Sequence, residues 1–269
     1  MLRVMTWNIR TGGRDAGGVD RTDAIVRVVT DLRPDLLLLQ ELRGFDRPDT
    51  LGGFAGRVGM RPHLARACFG QPVAVLVRPP LRVLDAGRVR RPFHHAAARV
   101  RVATSAGPMT VLGTHLYPYS GGRRRMEADW LATAVRRSPD SLALLGGDLN
   151  TLDPTVDHAG RLATMPVRYR RRHLSRDGRT VDTRAVSRLL AAGLVDLWAA
   201  HAGATAEVEG RTVPTRHGGV EFVGARLDYL LATPPVVPLT RTVRVVRGGD
   251  ADHASDHYPV VADLDLDPA

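Results

Sequence analysis

The chain has 269 residues and a formal net charge of +10, and every basic side chain other than histidine is an arginine. This length suits one large α/β domain, so we expect residues 1–269 to form a single domain. With Cys68 as the only cysteine, an intramolecular disulfide is excluded, and no apolar stretch is long enough to predict membrane insertion. We therefore expect a cytoplasmic monomer, and the positive charge favours an anionic partner.

The first predicted unit is a strand, a helix and a second strand. Apolar residues fill the run Leu2–Asn8 and then recur at three- and four-residue steps in a segment that ends at Pro34. A second apolar run, residues 35–39, leads into Gln40-Glu41. A βαβ unit of about 30 residues fits this order, so Asn8 and Glu41 are expected at the ends of two parallel strands.

A second unit repeats the first after two further predicted strands, residues 73–77 and 97–104, which turns rich in proline and arginine connect. The run 109–115 ends at His115, a helix-like apolar stripe follows, and residues 142–145 lead into Gly147-Asp148-Leu149-Asn150. This pattern predicts a second βαβ unit.

The spacing of the polar residues is the same in both units. Glu41 follows Asn8 by 33 positions, and Asp148 follows His115 by the same number. Open α/β sheets bind ligands outside the carboxyl ends of their strands. We therefore expect an amide, an imidazole and two carboxylates to converge on one cleft that suits a metal ion and a phosphate.

The remainder of the chain is less regular. Residues 153–183 are expected to form a long surface excursion. The elements predicted after it are a helix at 184–192 and strands at 226–231, 243–246 and 258–266. Seven histidines lack metal-ligand spacing and are expected on the surface or in loops: His94, His95, His158, His173, His201, His217 and His253.

Six short motifs, each at a predicted strand end, resemble those of the endonuclease/exonuclease/phosphatase superfamily. In chain order they are Thr6-Trp7-Asn8, Gln40-Glu41, Gly113-Thr114-His115-Leu116, Gly147-Asp148-Leu149-Asn150, Arg226-Leu227-Asp228-Tyr229 and Ser255-Asp256-His257. The resemblance implies a four-layer α/β/β/α sandwich, with two packed mixed sheets flanked by helices. It also implies hydrolysis of a phosphoester bond with a divalent metal, usually Mg²⁺, which Mn²⁺ could replace.

This chemistry assigns roles to the residues of the first four motifs. Mg²⁺ prefers oxygen ligands, which makes Glu41 the first candidate for a metal ligand, and the resemblance also implies Asn8 beside it. Asp148 would orient or deprotonate the attacking water. Asn150, two residues further on, could reach the same face and hold water or phosphate.

The last two motifs supply a carboxylate and imidazole pair, Asp228 and His257. The carboxylate would fix the imidazole tautomer and favour its charged form, so the pair could act as a base or stabilise the phosphate. The resemblance implies a second or water-mediated metal contact for Asp256. That role requires a local turn, because in an extended chain Asp256 points away from His257.

The residue type at position 115 differs between substrate classes of the superfamily. The resemblance implies tyrosine at this position in abasic-site endonucleases. It implies histidine in nucleases resembling pancreatic deoxyribonuclease and in lipid and sugar phosphate hydrolases. His115 therefore makes abasic-site repair the less favoured activity.

Two arginine clusters follow strands that end in site residues, so we expect both clusters on one rim. Arg123 and Arg124 begin the second crossover helix, and Arg170 and Arg171 lie in the excursion. Guanidinium groups on such a rim would bind phosphates bidentately, although a run of charges is more often a solvated face.

The sequence thus favours a metal-dependent phosphodiesterase that acts on nucleic acid. One alternative is a phosphomonoesterase or phospholipase-type hydrolase of a lipid or sugar phosphate. Another, from a different class, is a non-catalytic basic domain that binds nucleic acid. Such a domain should have lost site carboxylates or the Asp/His pair, and none of them is missing.

Overall fold

Two six-stranded sheets form the centre of the protein, as a computed structural model that describes residues 1–201 and 206–266 shows. Residues 202–205 and 267–269 of the predicted domain lie outside the described residues. The strands are β1 (Leu2–Asn8), β2 (Leu36–Gln40), β3 (Arg61–Ala65), β4 (Val73–Val77), β5 (Val83–Arg88), β6 (Ala97–Thr104), β7 (Gly107–His115), β8 (Leu142–Asp148), β9 (Val195–Asp196), β10 (Asp228–Ala232), β11 (Thr240–Val245) and β12 (Val260–Leu264).

Both sheets are mixed. The first has the strand order β11-β12-β1-β2-β4-β3, and the second has the order β5-β6-β7-β8-β10-β9. Only β1 with β2 and β7 with β8 are parallel among the described strand pairs. These are the two predicted βαβ units, one in each sheet, and both predictions are confirmed.

The described α-helices are α1 (Thr22–Leu32), α2 (Pro48–Val58), α3 (Gly121–Arg136), α4 (Ala159–Thr164), α5 (Val167–Arg170), α6 (Arg184–Ala191), α7 (Leu197–His201) and α8 (Ala206–Glu209). Helices α1 and α2 pack on the outer face of the first sheet, and α3 and α6 pack on the outer face of the second. None of the described helices is long and apolar enough to span a membrane.

Strand β2 shows why the protein has four layers. Leu36 and Leu38 point into the core between the two sheets, whereas Leu37 and Leu39 point outward to pack against α1 and α2. A strand buried on both faces reads as a continuous apolar run, because its side chains alternate between two apolar environments. The core formed by α3 and α6 on the second sheet completes the α/β/β/α sandwich, so the predicted fold class is confirmed.

Strand register brings the polar strand ends together. Asn8 pairs with Gln40 at the end of the parallel pair β1 and β2, and His115 pairs with Asp148 at the end of β7 and β8. Two antiparallel neighbours contribute residues at their starts instead. Asp228 opens β10 opposite Asp148, and the segment before β12 lies near the end of β1, since Thr6 pairs with Val260.

The excursion at 153–183 is more ordered than the sequence predicted. It contains the short helices α4 and α5 and contributes Leu162 and Met165 to a small apolar cluster with Leu152 and Leu227. Residues 153–183 do form a long excursion, but this part does not lie on the surface as predicted, because its apolar residues have a local core to pack against.

Gly147 permits the close approach of β7 and β8 beside Asp148. Its φ is +148°, and a Cβ at this position would overlap the backbone carbonyl of Thr114. We expect Gly147→Ala to lower the free energy of unfolding by at least about 2 kcal/mol, because both the backbone conformation and the contact are incompatible with a side chain. Urea unfolding measures this.

Gly87→Ala in the edge strand β5 is the matched control. There the nearest atom to an added Cβ is the Arg99 guanidinium, 3.8 Å away. This variant should keep the wild-type midpoint, and equal midpoints for the two variants would contradict the proposed close approach.

Candidate active site

The converging strand ends open into a cavity of about 690 Å³, called here the central cavity. Six of the predicted site residues line it: Glu41, His115, Asp148, Asn150, Asp256 and His257. Asn8 and Asp228 are buried and reach it only through hydrogen bonds to these residues. The structure therefore brings together every predicted catalytic and metal residue.

Asp148 is at the centre of a hydrogen-bond network. Its Oδ1 accepts the backbone N–H of Asn150 (2.8 Å), and its Oδ2 accepts the amide of Asn8 (3.0 Å). Oδ2 also lies 3.3 Å from His115 Nε2 and 3.8 Å from His257 Nε2. Burial opposes ionisation, but the two imidazoles hold the pKa of Asp148 below its usual range. Asp148 is thus an ionised acceptor facing the cavity.

Asp228 orients His257, as the sequence predicted. His257 Nδ1 lies 2.7 Å from Asp228 Oδ2, and the Trp7 indole donates to the His257 carbonyl at 2.8 Å. Burial works against a charged imidazole, but the carboxylates of Asp228 and Asp148 raise the pKa of His257. The ring is therefore fixed as a proton donor whose Nε2 faces the cavity.

Glu41 sits directly after β2 with a left-handed backbone, φ 59°. Its carboxylate accepts hydrogen bonds from the Thr11 backbone N–H (3.0 Å), the Gln71 amide (2.9 Å) and the Asn8 amide (3.2 Å). Burial opposes ionisation, yet the nearby His115 and these donors lower the pKa of Glu41. The strained turn aims an ionised carboxylate at the cavity.

Asn8 joins the two carboxylates through its amide nitrogen, which donates to both Glu41 and Asp148. Its Oδ1 accepts the backbone N–H of Arg10 at 3.0 Å. A carbonyl oxygen has two lone pairs, so Oδ1 can accept this N–H and still offer a lone pair to a metal ion. Asn8 is a bridge between the two carboxylates, and its role as a metal ligand stays a prediction.

A bend at residues 256–257 supplies the local turn that Asp256 requires. The Asp256 carboxylate is mostly buried, accepts the Ser255 hydroxyl at 3.3 Å and lies 3.5 Å from the Arg10 guanidinium. Burial and, to a smaller extent, the nearby Glu41 raise its pKa. Glu41 and Asp256 are neighbouring oxygen donors whose like charges a divalent cation would offset, so the two residues fit a metal site.

A second set of possible metal ligands lies deeper. One ligand atom from each of Asp148, Asp228 and His257 lies within 4.8 Å of the others. A 2.7 Å hydrogen bond already joins two of its members.

His115 has a partner that the sequence did not reveal. The His95 ring stacks on it, with centroids 4.0 Å apart and planes 2° from parallel, and His95 Nδ1 accepts the Gln71 backbone N–H at 2.9 Å. On the other side, Asn150 Nδ2 lies 2.9 Å from His115 Nε2. His115 is therefore held between an imidazole and an amide.

His95 and His158 lie in loops, as predicted, whereas His173 lies in a short 3-10 helix, and all three of these histidines are buried, which the sequence did not predict. His94 also lines the central cavity, next to His95. Their burial depends on contacts between distant segments, and no local pattern in the sequence contains a signal for it.

The predicted arginine rim needs correction. Arg124 is only 1% exposed, because α3 turns it inward, where its guanidinium donates to the carbonyls of Tyr117, Pro118 and Arg172. Arg123 pairs with Glu127 in its own helix at 3.3 Å. Neither faces the cavity.

In the second predicted cluster, the arginine that reaches the cavity is the residue after the two that were predicted. Arg172 lines the central cavity, while Arg170 and Arg171 do not. The Arg172 guanidinium lies over the rings of Tyr169 and Phe222, which fixes its position. Arg43 and Arg66, which were not predicted as site residues, also line the cavity.

Similarity to known proteins identifies the family of the chain. Residues 5–257 match the model of the endonuclease/exonuclease/phosphatase family, and the chain belongs to that family. Membership places it among hydrolases of phosphoester bonds. No curated protein matches the chain.

Solved structures share the fold over nearly their whole length. An endonuclease/exonuclease/phosphatase from Bacteroides vulgatus has 17% identity and a TM-score of 0.71, with 99% of each chain covered. An AP endonuclease from Archaeoglobus fulgidus has 18% identity and a TM-score of 0.67, covering 98% of this chain and 100% of its own. A mannosyl-6-phosphatase from Bacteroides thetaiotaomicron has 15% identity and a TM-score of 0.68, with 98% and 99% covered.

Proposed function

We propose that the protein is a metal-dependent phosphodiesterase that acts on nucleic acid. The observation that carries this proposal is the placement of the Asp148 network in a cavity that Arg43, Arg66 and Arg172 also line. Guanidinium groups neutralise the charge on phosphate oxygens, and a cavity of about 690 Å³ has room for groups on both sides of a phosphodiester. The net charge of +10 favours a polyanion.

Glu41 and Asp256 would hold the metal, for which we propose Mg²⁺, with Mn²⁺ as a replacement. When bound, such an ion polarises the phosphoester and stabilises the leaving oxygen. Asn8 keeps Glu41 and Asp148 together through its amide nitrogen. We favour this pair over the deeper set around Asp228, because Asp228 is already committed to His257.

The other side chains of the site have separate roles in the proposed reaction. Asp148, ionised and facing the cavity, orients the attacking water and accepts its proton. His257 donates to a phosphate oxygen through Nε2, while Asp228 holds its ring. His115 and Asn150 bind the phosphate or the water beside Asp148, and His115 Nε2 lies 2.9 Å from Asn150 Nδ2. Of the two roles that the sequence left open for His257, the structure supports phosphate stabilisation.

Chelation should abolish hydrolysis. We expect no turnover in excess EDTA and full recovery on addition of Mg²⁺ or Mn²⁺, because the carboxylates of Glu41 and Asp256 are hard oxygen ligands. Turnover of a chromogenic phosphodiester before and after readdition measures this. Undiminished turnover in EDTA would rule out the metal mechanism.

The choice between diester and monoester hydrolysis is tested by comparing substrates with a common leaving group. We expect kcat/KM for bis-p-nitrophenyl phosphate to exceed that for p-nitrophenyl phosphate, and mannose 6-phosphate to be a poor substrate. The reverse order would establish the phosphomonoesterase alternative instead. Binding of nucleic acid without hydrolysis of any ester would support the non-catalytic alternative.

The organisation of the protein in the cell is also a proposal. We propose a single domain over residues 1–269 that acts as a cytoplasmic monomer. The exposed thiol of Cys68 is compatible with a reducing compartment. Light scattering of the purified chain would test the monomeric state.

A further inference from the structure

A second cleft of about 350 Å³ opens beside the central cavity. Arg66 and His95 line both spaces, so the two are adjacent. We call the second space the arginine cleft, after the four arginines that line it: Arg66, Arg88, Arg90 and Arg91.

The positive charge of the arginine cleft is uncompensated. All four arginines are exposed, and none of them forms an ion pair within the described part of the chain. No aspartate or glutamate is among the residues that line the cleft. Four arginines around a concave surface without a carboxylate create a potential that attracts an anion. By contrast, Arg10 and Arg21 near the active site each have an acidic partner.

A ridge formed by residues 66–69 separates the two spaces. Ala67 and Phe69 line the central cavity, whereas Cys68 lines the arginine cleft. Phe69 is 76% exposed. An exposed aromatic ring therefore stands on the segment that contributes residues to both spaces.

Backbone contacts fix the ridge. The N–H groups of Phe69 and Gly70 both donate to the His94 carbonyl, at 3.2 and 2.7 Å. A Cβ at Gly70 would lie 2.5 Å from His95 Nδ1, so only glycine allows the ridge to approach His95 this closely. The exposed ring of Phe69 is thus presented by a closely packed loop.

We propose that the arginine cleft binds the phosphodiester backbone of a single-stranded nucleic acid beyond the scissile phosphate, with a base stacked on Phe69. Exposed aromatic rings beside a basic groove suit unpaired bases, whose faces are accessible in a single strand and covered in a duplex. Tyr119, 69% exposed at the central cavity, supplies a second ring. This inference rests on the proposed phosphodiesterase and names its substrate class.

The first test compares substrates of two lengths. In the Arg90→Gln/Arg91→Gln double variant, kcat/KM for a single-stranded oligonucleotide of about 12 nucleotides should fall at least about tenfold more than for a dinucleotide. The salt slope of oligonucleotide binding should become shallower by about 1.4, since each phosphate contact on a single strand contributes about 0.7. Arg82→Gln, an exposed arginine at the other end of β5, is the matched control and should behave like wild type.

The second test uses Cys68 as a probe of occupancy. It is the only cysteine, is exposed and lines the arginine cleft. In EDTA, where hydrolysis is expected to stop, the oligonucleotide should slow alkylation of Cys68 by iodoacetamide, whereas the dinucleotide and a blunt duplex should not. Phe69→Ala should weaken this protection.

The outcomes separate the two proposals. If wild type hydrolyses the oligonucleotide but the Arg90→Gln/Arg91→Gln variant matches Arg82→Gln, or Cys68 reacts equally fast with and without the oligonucleotide, the arginine cleft inference is wrong and the phosphodiesterase stands. Equal protection by duplex overturns the single-strand assignment. If wild type hydrolyses no nucleic acid, both proposals fail.

Discussion

Asp148→Asn should lower kcat by at least about a hundredfold, the usual scale for loss of a general base. The amide keeps the size of the carboxylate but removes the charge that accepts a proton from water. Asp148 is also the point where Asn8, Asn150, His115 and His257 meet, so the loss affects the orientation of all four. Steady-state hydrolysis of a phosphodiester measures the effect.

Asp250→Asn is the matched control for this substitution. Asp250 forms a 2.7 Å ion pair with Arg27 on the surface, outside the central cavity. It should leave kcat near the wild-type value, and a far-ultraviolet circular dichroism spectrum should show both variants folded. A folded Asp148→Asn protein with wild-type kcat would show that the assigned role is wrong.

His257→Ala should have an effect of similar size, at least about a hundredfold on kcat, because it removes the proposed donor to the phosphate. Asp228 acts only through His257, to which its carboxylate is hydrogen bonded. We therefore expect Asp228→Asn to slow turnover in the wild-type background and to have no further effect in the His257→Ala background. Such non-additivity is typical of residues that act as a unit.

His253→Ala controls for the loss of a histidine from the same segment, since His253 is exposed. It should retain wild-type kcat. If the effects of Asp228→Asn and His257→Ala instead multiply in the double variant, Asp228 acts independently, and its assignment as a positioning residue fails.

Strand ends were the most predictable part of this protein. The equal spacing from Asn8 to Glu41 and from His115 to Asp148 corresponds to the observed pairs of parallel strands. Apolar runs such as β2 are buried on both faces, so their ends are recognisable from local sequence. The four-layer fold followed from the motifs, and the structure confirms it.

Several peripheral elements were not predicted, and each has a local reason. Helix α2 contains Gly52, Gly53 and Gly56, which weaken a helical pattern. Strand β3 contains Pro62, and β5 is an exposed edge strand whose side chains show no apolar alternation. These elements form because neighbouring strands supply hydrogen bonds, which local sequence does not reveal.

The positions of individual side chains were the least predictable feature of the site. Arg124 and Arg172 both belong to arginine runs, yet one is buried under backbone carbonyls and the other lines the central cavity. His95 and Gln71 become site neighbours only because the β3–β4 and β5–β6 connections meet at the end of the sheets. Such contacts depend on packing between distant segments.

Cleavage of a single-stranded oligonucleotide by the purified protein, with Asp148→Asn from the same preparation as the blank, tests the central claim most directly. We expect Mg²⁺-dependent formation of shorter products by wild type and at least about a hundredfold less product with Asp148→Asn. Equal cleavage by the two proteins, or no cleavage by wild type while a phosphomonoester is hydrolysed, would contradict a nucleic-acid phosphodiesterase centred on Asp148.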